Sequence, residues 1–188
     1  MYYKLQCDMI EVYDNLVNSD LANSIENNIL NDSFPFFYTE LTVKKEDYEL
    51  VKHKENIKDG PQLVHNFLNH GISSKNFNTI IPLVNEMSKI INHNIALLRV
   101  KANLKFNNNN SYKDHHNTPH KDREDDSYAI LYFVNRTDGD MFFFPDGNVK
   151  RISPKKGRFV LFKGNLNHCG QHPINSKVRC TINFNILI

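Results

Sequence analysis

A histidine and an aspartate lie two positions apart at His120 and Asp122. On an extended strand, side chains two residues apart project from the same face, so this imidazole and this carboxylate could share one metal ion. A further imidazole is available at His168. Two histidines and one carboxylate leave coordination positions open, as a ferrous ion needs when it binds a chelating co-substrate together with O2. A closed zinc site would instead need four ligands, usually including thiolate.

Arg179 follows His168 along the chain and is flanked by Val178 and Cys180. Apolar neighbours on both sides indicate a buried strand, where an unpaired guanidinium would be costly. A bound carboxylate would satisfy the charge, and the planar guanidinium suits a two-pronged contact with it. Thr181 shares the face of Arg179 and could add a hydroxyl donor.

Alternatives exist for each residue, because a His-x-Asp pair also occurs by chance in solvated loops and an isolated arginine is often a surface ion-pair partner. His172 is a rival third ligand, but it precedes Pro173 and ranks below His168. His115 and His116 are predicted to be exposed loop residues, not ligands. Cys169 is expected to point away from His168 on an extended backbone.

The elements that must position these groups change character near residue 100. From Leu97 onward, short apolar or alternating runs separated by turn residues are typical of an all-β sandwich or barrel. The last run is the clearest, because its apolar residues alternate with polar ones, and a polar face inside a sheet suggests a cavity for a charged ligand. Strands are predicted at about 97–106, 116–122, 127–135, 140–144, 158–163 and 177–187.

The first half of the chain shows mostly helical signals. Asn18 or Ser19 could cap a helix, and Pro61 and Gly71 bracket a second predicted helix. A third is predicted from about 78 to 91, with an apolar stripe of helical period. The apolar residues that define the three stripes are Leu21, Ile25 and Ile29, then Leu63, Val64, Phe67 and Leu68, and finally Ile80, Ile81, Val84, Met87 and Ile91. The apolar stripes of such helices are expected to pack against a sheet.

Composition bounds the function only loosely. At 188 residues one domain is expected, and 23 basic against 21 acidic residues give no strong nucleic-acid signal. Three cysteines, at positions 7, 169 and 180, fit a reduced compartment and hence a cytoplasmic protein. Nowhere do about 18 apolar residues run consecutively, and no secretion signal is expected at the N-terminus.

From about Leu98 to Ile188 the sequence resembles the 2-oxoglutarate/Fe(II) dioxygenase superfamily, in particular its prolyl 4-hydroxylase-like branch and small phage and bacterial members. The order and spacing of several segments together carry the resemblance. They are His120-Lys121-Asp122, the strand 130–135 followed by Asp138-Gly139-Asp140, the segment 152–162, His168, and Arg179-Cys180-Thr181.

The resemblance implies a mainly β protein with N-terminal helices (α+β), built as a jelly-roll or cupin-like double-stranded β-helix with helices packed on one sheet. It implies one oxygenase domain over 1–188, in which 1–96 is mainly helical support with an N-terminal strand and 97–188 is the β-helix core. It also implies the cofactors Fe(II), 2-oxoglutarate and O2, with ascorbate as an additional candidate. Bacterial or phage-infected cytoplasm is the implied location.

By the same resemblance, His120, Asp122 and His168 would ligate Fe(II), and Arg179 would pair with the distal carboxylate of 2-oxoglutarate. Tyr132 matches a tyrosine that hydrogen-bonds this carboxylate in prolyl-hydroxylase-like members, although a strand tyrosine is more often simply packed. A tyrosine that many relatives carry shortly before the HxD motif has no certain counterpart, and Tyr112 is the nearest candidate. Because Asp122 is present, hydroxylation is favoured over halogenation.

By the same resemblance, the substrate is expected to be a protein or peptide side chain, of the prolyl type, with a small molecule as the alternative. A metal-binding or metal-free β-helix that serves only as a binding module is a different class of interpretation. The segments 44–60 and 106–117 could form lids over the site. Each could equally be a solvated connector. The oligomeric state is not specified by the sequence.

Overall fold

The structure, a computed structural model, describes residues 10–91, 95–107 and 112–188. Within these ranges the chain forms three α-helices and eleven β-strands. In chain order they are β1 (Glu11–Tyr13), α1 (Ser19–Ile29), β2 (Phe37–Thr39), α2 (Lys45–Val51), β3 (Gln62–Asn69), β4 (Ile72–Ser73), α3 (Ile81–Ile91), β5 (Ala96–Phe106), β6 (Tyr128–Phe133), β7 (Met141–Phe143), β8 (Lys150–Ile152), β9 (Phe159–Lys163), β10 (His168–Gly170) and β11 (Val178–Leu187). Cys7 lies outside the described residues. No helix in the described part is long and apolar enough to cross a membrane.

The strands form two antiparallel sheets of unequal size. The larger sheet has the order β1-β9-β6-β11-β5-β3-β2, and β4 pairs with β3 as its eighth strand. The smaller sheet has the order β10-β7-β8. Strand β11 is central, because it pairs with β5 on one side and with β6 on the other.

One apolar core joins the inner faces of the two sheets. Strands β6 and β9 of the larger sheet contribute to it, as do β7 and β8 of the smaller sheet. Its buried members are Ile10, Ala129, Leu131, Phe133, Met141, Phe143, Ile152, Val160 and Phe162. The sheets therefore pack face to face over an interior from which water is excluded.

A second core lies between the other face of the larger sheet and the helices. Helix α1 begins at the predicted cap, where the side-chain oxygen of Asn18 accepts a hydrogen bond from the backbone N–H of Leu21 at 2.8 Å. The helix residues buried in this core are Ala22, Ile25 and Ile29 of α1 and Leu83, Met87 and Ile91 of α3. The chain is thus a double-stranded β-helix with helices packed on one sheet, as predicted.

The predicted helix between Pro61 and Gly71 is wrong, because residues 62–69 form strand β3 between β2 and β5. The pairing register of β3 shifts between Asn66 and Leu68. This bulge changes the phase of the strand, so Phe67 and Leu68 both contact the helix-side core. The resulting apolar spacing imitates a helical stripe.

The predicted strand 116–122 is also wrong. This segment makes only isolated bridges, from His116 to Ile57 and from His120 to His168. Pro119 lacks a backbone N–H and cannot continue a ladder. The other five predicted strands are confirmed within a few residues, but β8 and β10 were not predicted, and the first half of the chain adds β1 to β4 to the helices.

Strands β5 and β11 carry the alternation that shapes the interior. On β11, Cys180, Ile182 and Phe184 face the helices and are fully buried. The intervening polar residues face the smaller sheet and are buried as well. These are Arg179, Thr181, Asn183 and Asn185. A buried polar stripe in the middle of a sheet requires partners, and these define the candidate site.

Candidate active site

His120 and His168 are brought together by a short bridge between the HxD segment and β10. The backbone N–H of His120 donates to the carbonyl of His168 at 3.0 Å, and the reverse bond measures 2.9 Å. The two imidazole rings have centroids 4.9 Å apart. The backbone N–H of Asp122 is held at 3.0 Å by the carbonyl of Gly164. The HxD segment is thus irregular, yet it brings His120 and Asp122 together as predicted for a strand.

Backbone carbonyls fix the orientation of both imidazoles. Nδ1 of His120 lies 3.2 Å from the carbonyl of Thr118, and Nδ1 of His168 lies 2.9 Å from the carbonyl of Leu166. Since a carbonyl oxygen only accepts hydrogen bonds, each Nδ1 carries the proton. In the neutral imidazole this leaves the lone pair of Nε2 available to a metal ion.

The carboxylate of Asp122 is held by three donors. Arg99 Nη2 lies 2.8 Å from Oδ1, while the side-chain amides of Asn183 and Asn185 lie 2.7 and 3.0 Å from Oδ2. Arg99 also donates through Nε to the side-chain oxygen of Asn185 at 2.8 Å. Such partners fix the direction in which a carboxylate presents its oxygens.

The protonation states of the ligands suit metal binding. Burial of the Asp122 carboxyl acts to raise its pKa, but His168, Arg99 and Asn183 together outweigh that effect and lower the pKa to about 2. Burial and the neighbouring His168 lower the pKa of His120 to about 4. At neutral pH the site therefore offers an ionised carboxylate and a neutral imidazole.

The residues fit a ferrous ion. One donor atom from each of His120, Asp122 and His168 lies within 4.8 Å of the other two. In the described ranges this is the only cluster of three such side chains. Two imidazoles and one carboxylate are the donor set of an iron site with open positions, and they are too few for a closed structural zinc site.

Arg179 lies in the same cavity, with only 1% of its surface exposed. Its Nε donates to the carbonyl of Gly139 at 2.8 Å, but its Nη2 has no hydrogen-bond partner. Burial lowers the pKa of the guanidinium to about 10, so it stays charged at neutral pH. Thr181, also predicted, lines the cavity beside it. A bound carboxylate would accept a hydrogen bond from the unpaired Nη2 of this buried guanidinium.

Sequence reasoning missed the lysines of this cavity. Lys101 and Lys105, both on β5, line it together with the predicted residues. Burial and Arg99 lower the pKa of Lys101 to about 8, while burial and Arg179 lower that of Lys105 to about 7. The signal was present, because Arg99, Lys101, Asn103 and Lys105 alternate with Val100, Ala102 and Leu104.

Tyr132 does not reach this cavity, so its predicted co-substrate contact is wrong. Leu131 lines the cavity, and the next side chain along a strand points to the opposite face. Tyr132 packs in the helix-side core against Phe159, with ring centroids 4.8 Å apart. Burial, together with Glu26, raises the pKa of its hydroxyl.

Tyr112 also lies outside the pocket in which the sequence predicted it. It is 67% exposed, contacts His115 edge to face and does not line the cavity. The structure therefore gives the co-substrate pocket neither of the two predicted tyrosines. The hydrogen bonds that their hydroxyl groups would have supplied must come from other side chains.

Three other predictions concern groups beside the cluster. His116 was expected to be exposed but is buried, with Nε2 2.9 Å from the amide of Asn56. Cys169 points away from His168, as predicted, and its sulfur lies 3.3 Å from Nδ1 of His116. His172 is buried against the carbonyl of Phe106 at 2.9 Å and is absent from the metal-binding cluster.

The predicted lid formed by residues 44–60 is hydrogen-bonded to the segment before the HxD motif through Asp59, close to the end of the lid. Asp59 accepts hydrogen bonds from the backbone N–H groups of Thr42 and Thr118, at 3.1 and 3.2 Å. The side-chain amide of Asn117 donates to it at 3.2 Å. Thr42 lines the cavity. Part of the other predicted lid, residues 108–111, lies outside the described ranges.

The comparisons with known proteins agree with this arrangement. A model of the 2OG-Fe(II) oxygenase superfamily matches residues 102–187, which include His120, Asp122, His168 and Arg179. A search of curated protein sequences gave no match.

Several solved structures are similar in fold. A prolyl hydroxylase from Trichoplax adhaerens, in complex with a hypoxia inducible factor peptide, superposes with a TM-score of 0.69 at 16% identity, covering 97% of this chain and 85% of that one. A prolyl-4-hydroxylase from Pseudomonas putida superposes with a TM-score of 0.56 at 12% sequence identity, and the match covers 94% of this chain and 91% of that one. EctD from S. alaskensis was solved with 2-oxoglutarate and 5-hydroxyectoine. It superposes with a TM-score of 0.56 at 12% sequence identity, and the match covers 94% of this chain and 71% of that one. Residues 102–187 of this chain therefore match the model of the 2OG-Fe(II) oxygenase superfamily, and the chain shares its fold with these solved structures.

Proposed function

We propose that this chain is a hydroxylase that consumes 2-oxoglutarate and O2 at a ferrous ion and acts on a protein or peptide side chain, with proline as the first candidate. The reaction converts 2-oxoglutarate, O2 and a substrate C–H bond into succinate, CO2 and a C–OH bond. One observation carries the proposal. His120, Asp122, His168 and Arg179 all line one cavity.

Each residue has a separate task in this proposal. His120 and His168 would hold the iron through their unprotonated Nε2 atoms, and Asp122 would hold it through its carboxylate. Arg179 would receive the distal carboxylate of 2-oxoglutarate, to which Thr181 could add a hydroxyl donor. The bound iron and co-substrate supply the activation of O2 and the oxidation of the substrate. The protein supplies orientation and a site shielded from water.

The cavity walls support shielding of the reacting atoms. Two buried apolar residues line the cavity: Leu131 lies beside Asn183 on the inner face of the larger sheet, and Met141 belongs to the smaller sheet opposite. The cavity volume is about 50 Å³. With Asp122 occupying the carboxylate position, hydroxylation is favoured over halogenation.

A peptide substrate is favoured by the surface that adjoins the cavity. Phe37 of β2 is paired with Val64 of β3, which is paired with the cavity residue Asn103 of β5. Directly paired residues of an antiparallel sheet share a face, so Phe37 and Val64 extend the inner face of the larger sheet beyond the cavity. Phe37 is 64% exposed. An exposed aromatic group beside the site suits an extended peptide.

The alternative, a small-molecule substrate, has support of its own. The similar structure of EctD was solved with 5-hydroxyectoine, a small molecule, whereas the Trichoplax enzyme was solved with a peptide fragment. The fold accommodates both kinds of ligand. A cytoplasmic location stays a prediction.

The deciding experiment incubates the iron-loaded protein with 2-oxoglutarate in air, alone and with a library of proline-containing peptides. We expect succinate that depends on iron, 2-oxoglutarate and O2, and peptides that gain the mass of one oxygen atom. The Asp122→Ala variant is the control and should form no succinate. Succinate without any oxidised peptide would favour the small-molecule alternative. No succinate from folded, iron-loaded protein would support the binding-module interpretation.

A further inference from the structure

The inner face of β5 places a second buried cation directly beside Arg179. Lys105 and Arg179 are paired across the β5–β11 ladder. Paired residues share a face, so both side chains enter the same cavity. Lys105 is 5% exposed and Arg179 1%. Two buried cations side by side are costly unless an anion joins them.

Gly170 shows how closely the two cations approach one point. A Cβ atom added at Gly170 would lie 3.3 Å from Arg179 Nη1 and 3.3 Å from Lys105 Nζ. Both cationic groups therefore border the space above this glycine. Since Gly170 lies two residues after His168 on β10, it faces the same side as that proposed metal ligand.

The protein itself supplies little compensation for this pair. In the described ranges, neither Lys105 nor Arg179 forms an ion pair with any carboxylate. Lys105 donates one hydrogen bond, to the side-chain oxygen of Asn117. Asp59 attracts the ammonium at longer range, but its own oxygens accept from other groups.

We propose that Lys105 is a second carboxylate-binding residue, which grips the distal carboxylate of 2-oxoglutarate together with Arg179. This inference rests on the proposed function and assigns the pocket a contact that neither Tyr132 nor Tyr112 can make. Lys105 contributes charge and up to three donors, and Arg179 contributes a planar pair of donors. A dicarboxylic oxo acid would then be preferred over a monocarboxylic one.

A purely structural role is the competing explanation. In that case Lys105 would serve only to hold Asn117, and hence the loop that precedes the HxD segment. The two roles make different demands on Asn117. Removing the Asn117 side chain breaks the structural bond but leaves the cation in place.

The test measures 2-oxoglutarate binding by calorimetry to the full-length protein loaded with Mn(II), which avoids turnover. We expect Lys105→Met to weaken binding by about tenfold to a hundredfold, the effect of losing a charge-assisted hydrogen bond. Asn117→Ala should stay within about threefold of wild type, and Lys105→Arg should keep most of the affinity because it keeps the charge. Lys105→Gln replaces Lys105→Met if the latter does not fold.

Three outcomes overturn the inference. If Lys105→Met binds as tightly as wild type, Lys105 does not contact the ligand, and only this inference fails. If Asn117→Ala loses as much affinity as Lys105→Met, the role of Lys105 is structural. If wild-type protein binds Mn(II) but not 2-oxoglutarate, the proposed function fails and this inference fails with it.

Discussion

Arg99 Nη2 lies 2.8 Å from Oδ1 of Asp122, and this bond links the start of the polar stripe on β5 to the proposed metal site. The side chain of Asp122 is 2% exposed, whereas that of Arg99 is 31% exposed. Asn185 joins the pair, because it accepts from Arg99 and donates to Asp122. Arg99 therefore orients a proposed iron ligand and is not itself one of the proposed ligands.

Substitution of Arg99 by methionine should weaken iron binding. Loss of an outer partner of a metal-ligating carboxylate typically costs about tenfold to a hundredfold in metal affinity. Anaerobic titration with Fe(II) measures the change. Arg123→Met is the matched control, since the side chain of Arg123 pairs with Asp125 at the surface and is not a partner of the Asp122 carboxylate. Equal iron affinity in Arg99→Met and wild type would contradict the orienting role.

A methyl group at position 170 should close the carboxylate pocket and spare the metal site. In Gly170→Ala the added Cβ lies 3.3 Å from both cationic groups and 3.4 Å from the sulfur of Met141. We expect 2-oxoglutarate to bind about tenfold more weakly by calorimetry, while Mn(II) affinity stays unchanged. Cys169→Ala is the control, because Cys169 points to the other side of β10. Unchanged 2-oxoglutarate affinity in Gly170→Ala would show that the ligand binds elsewhere.

Phe37 should contribute to binding of a peptide substrate. Removing its exposed ring in Phe37→Ala is expected to raise the KM for an oxidised peptide about tenfold, since an aromatic side chain at an interface often contributes more than about 1 kcal/mol. The KM for 2-oxoglutarate should not change. Tyr38 is the control, because it is equally exposed but is paired with Leu63, which packs on the helix side. Equal effects of Phe37→Ala and Tyr38→Ala would argue against this surface.

Binding of 2-oxoglutarate should take up a proton above neutral pH. Burial and Arg179 lower the pKa of Lys105 to about 7, so in the free protein at about pH 8 the amine is mostly neutral. A bound carboxylate favours the ammonium form, and the pKa then rises. The other charged or titratable groups around Lys105 include Asp59, Cys169, Lys101 and His172.

Calorimetry in buffers of different ionisation enthalpy measures this proton uptake. We expect up to about one proton at pH 8 and much less at about pH 6, where Lys105 is already charged. Lys105→Met should remove the difference between the two pH values. Equal uptake at both pH values in wild type would contradict a carboxylate contact with Lys105.

The sequence predicted the proposed ligands better than the elements that carry them. Strict alternation on β11 placed Arg179 and Thr181 on the inner face, and the structure agrees. The same alternation on β5 carried Lys105 and was overlooked, because its meaning depends on the register with β11. Register is set by pairing between distant segments and is not visible within one strand.

Local patterns failed where tertiary contacts decide the structure. The bulge in β3 lets Phe67 and Leu68 share one core and imitates a helix. Strand β10 spans three residues, too few for a periodic signal. The predicted co-substrate role of Tyr132 rests on resemblance of position alone. Because side chains alternate along a strand and Leu131 faces the cavity, Tyr132 faces the helices. Tertiary packing, not local propensity, determined each of these outcomes.

The most direct test of the central claim is anaerobic addition of 2-oxoglutarate to the Fe(II)-loaded protein, followed by visible absorption spectroscopy. Wild type should develop the weak charge-transfer band of the iron chelate, and His172→Ala should develop it too. His168→Ala should not. A band that survives in His168→Ala but is lost in His172→Ala, or no band in folded and iron-loaded wild type, would contradict the account.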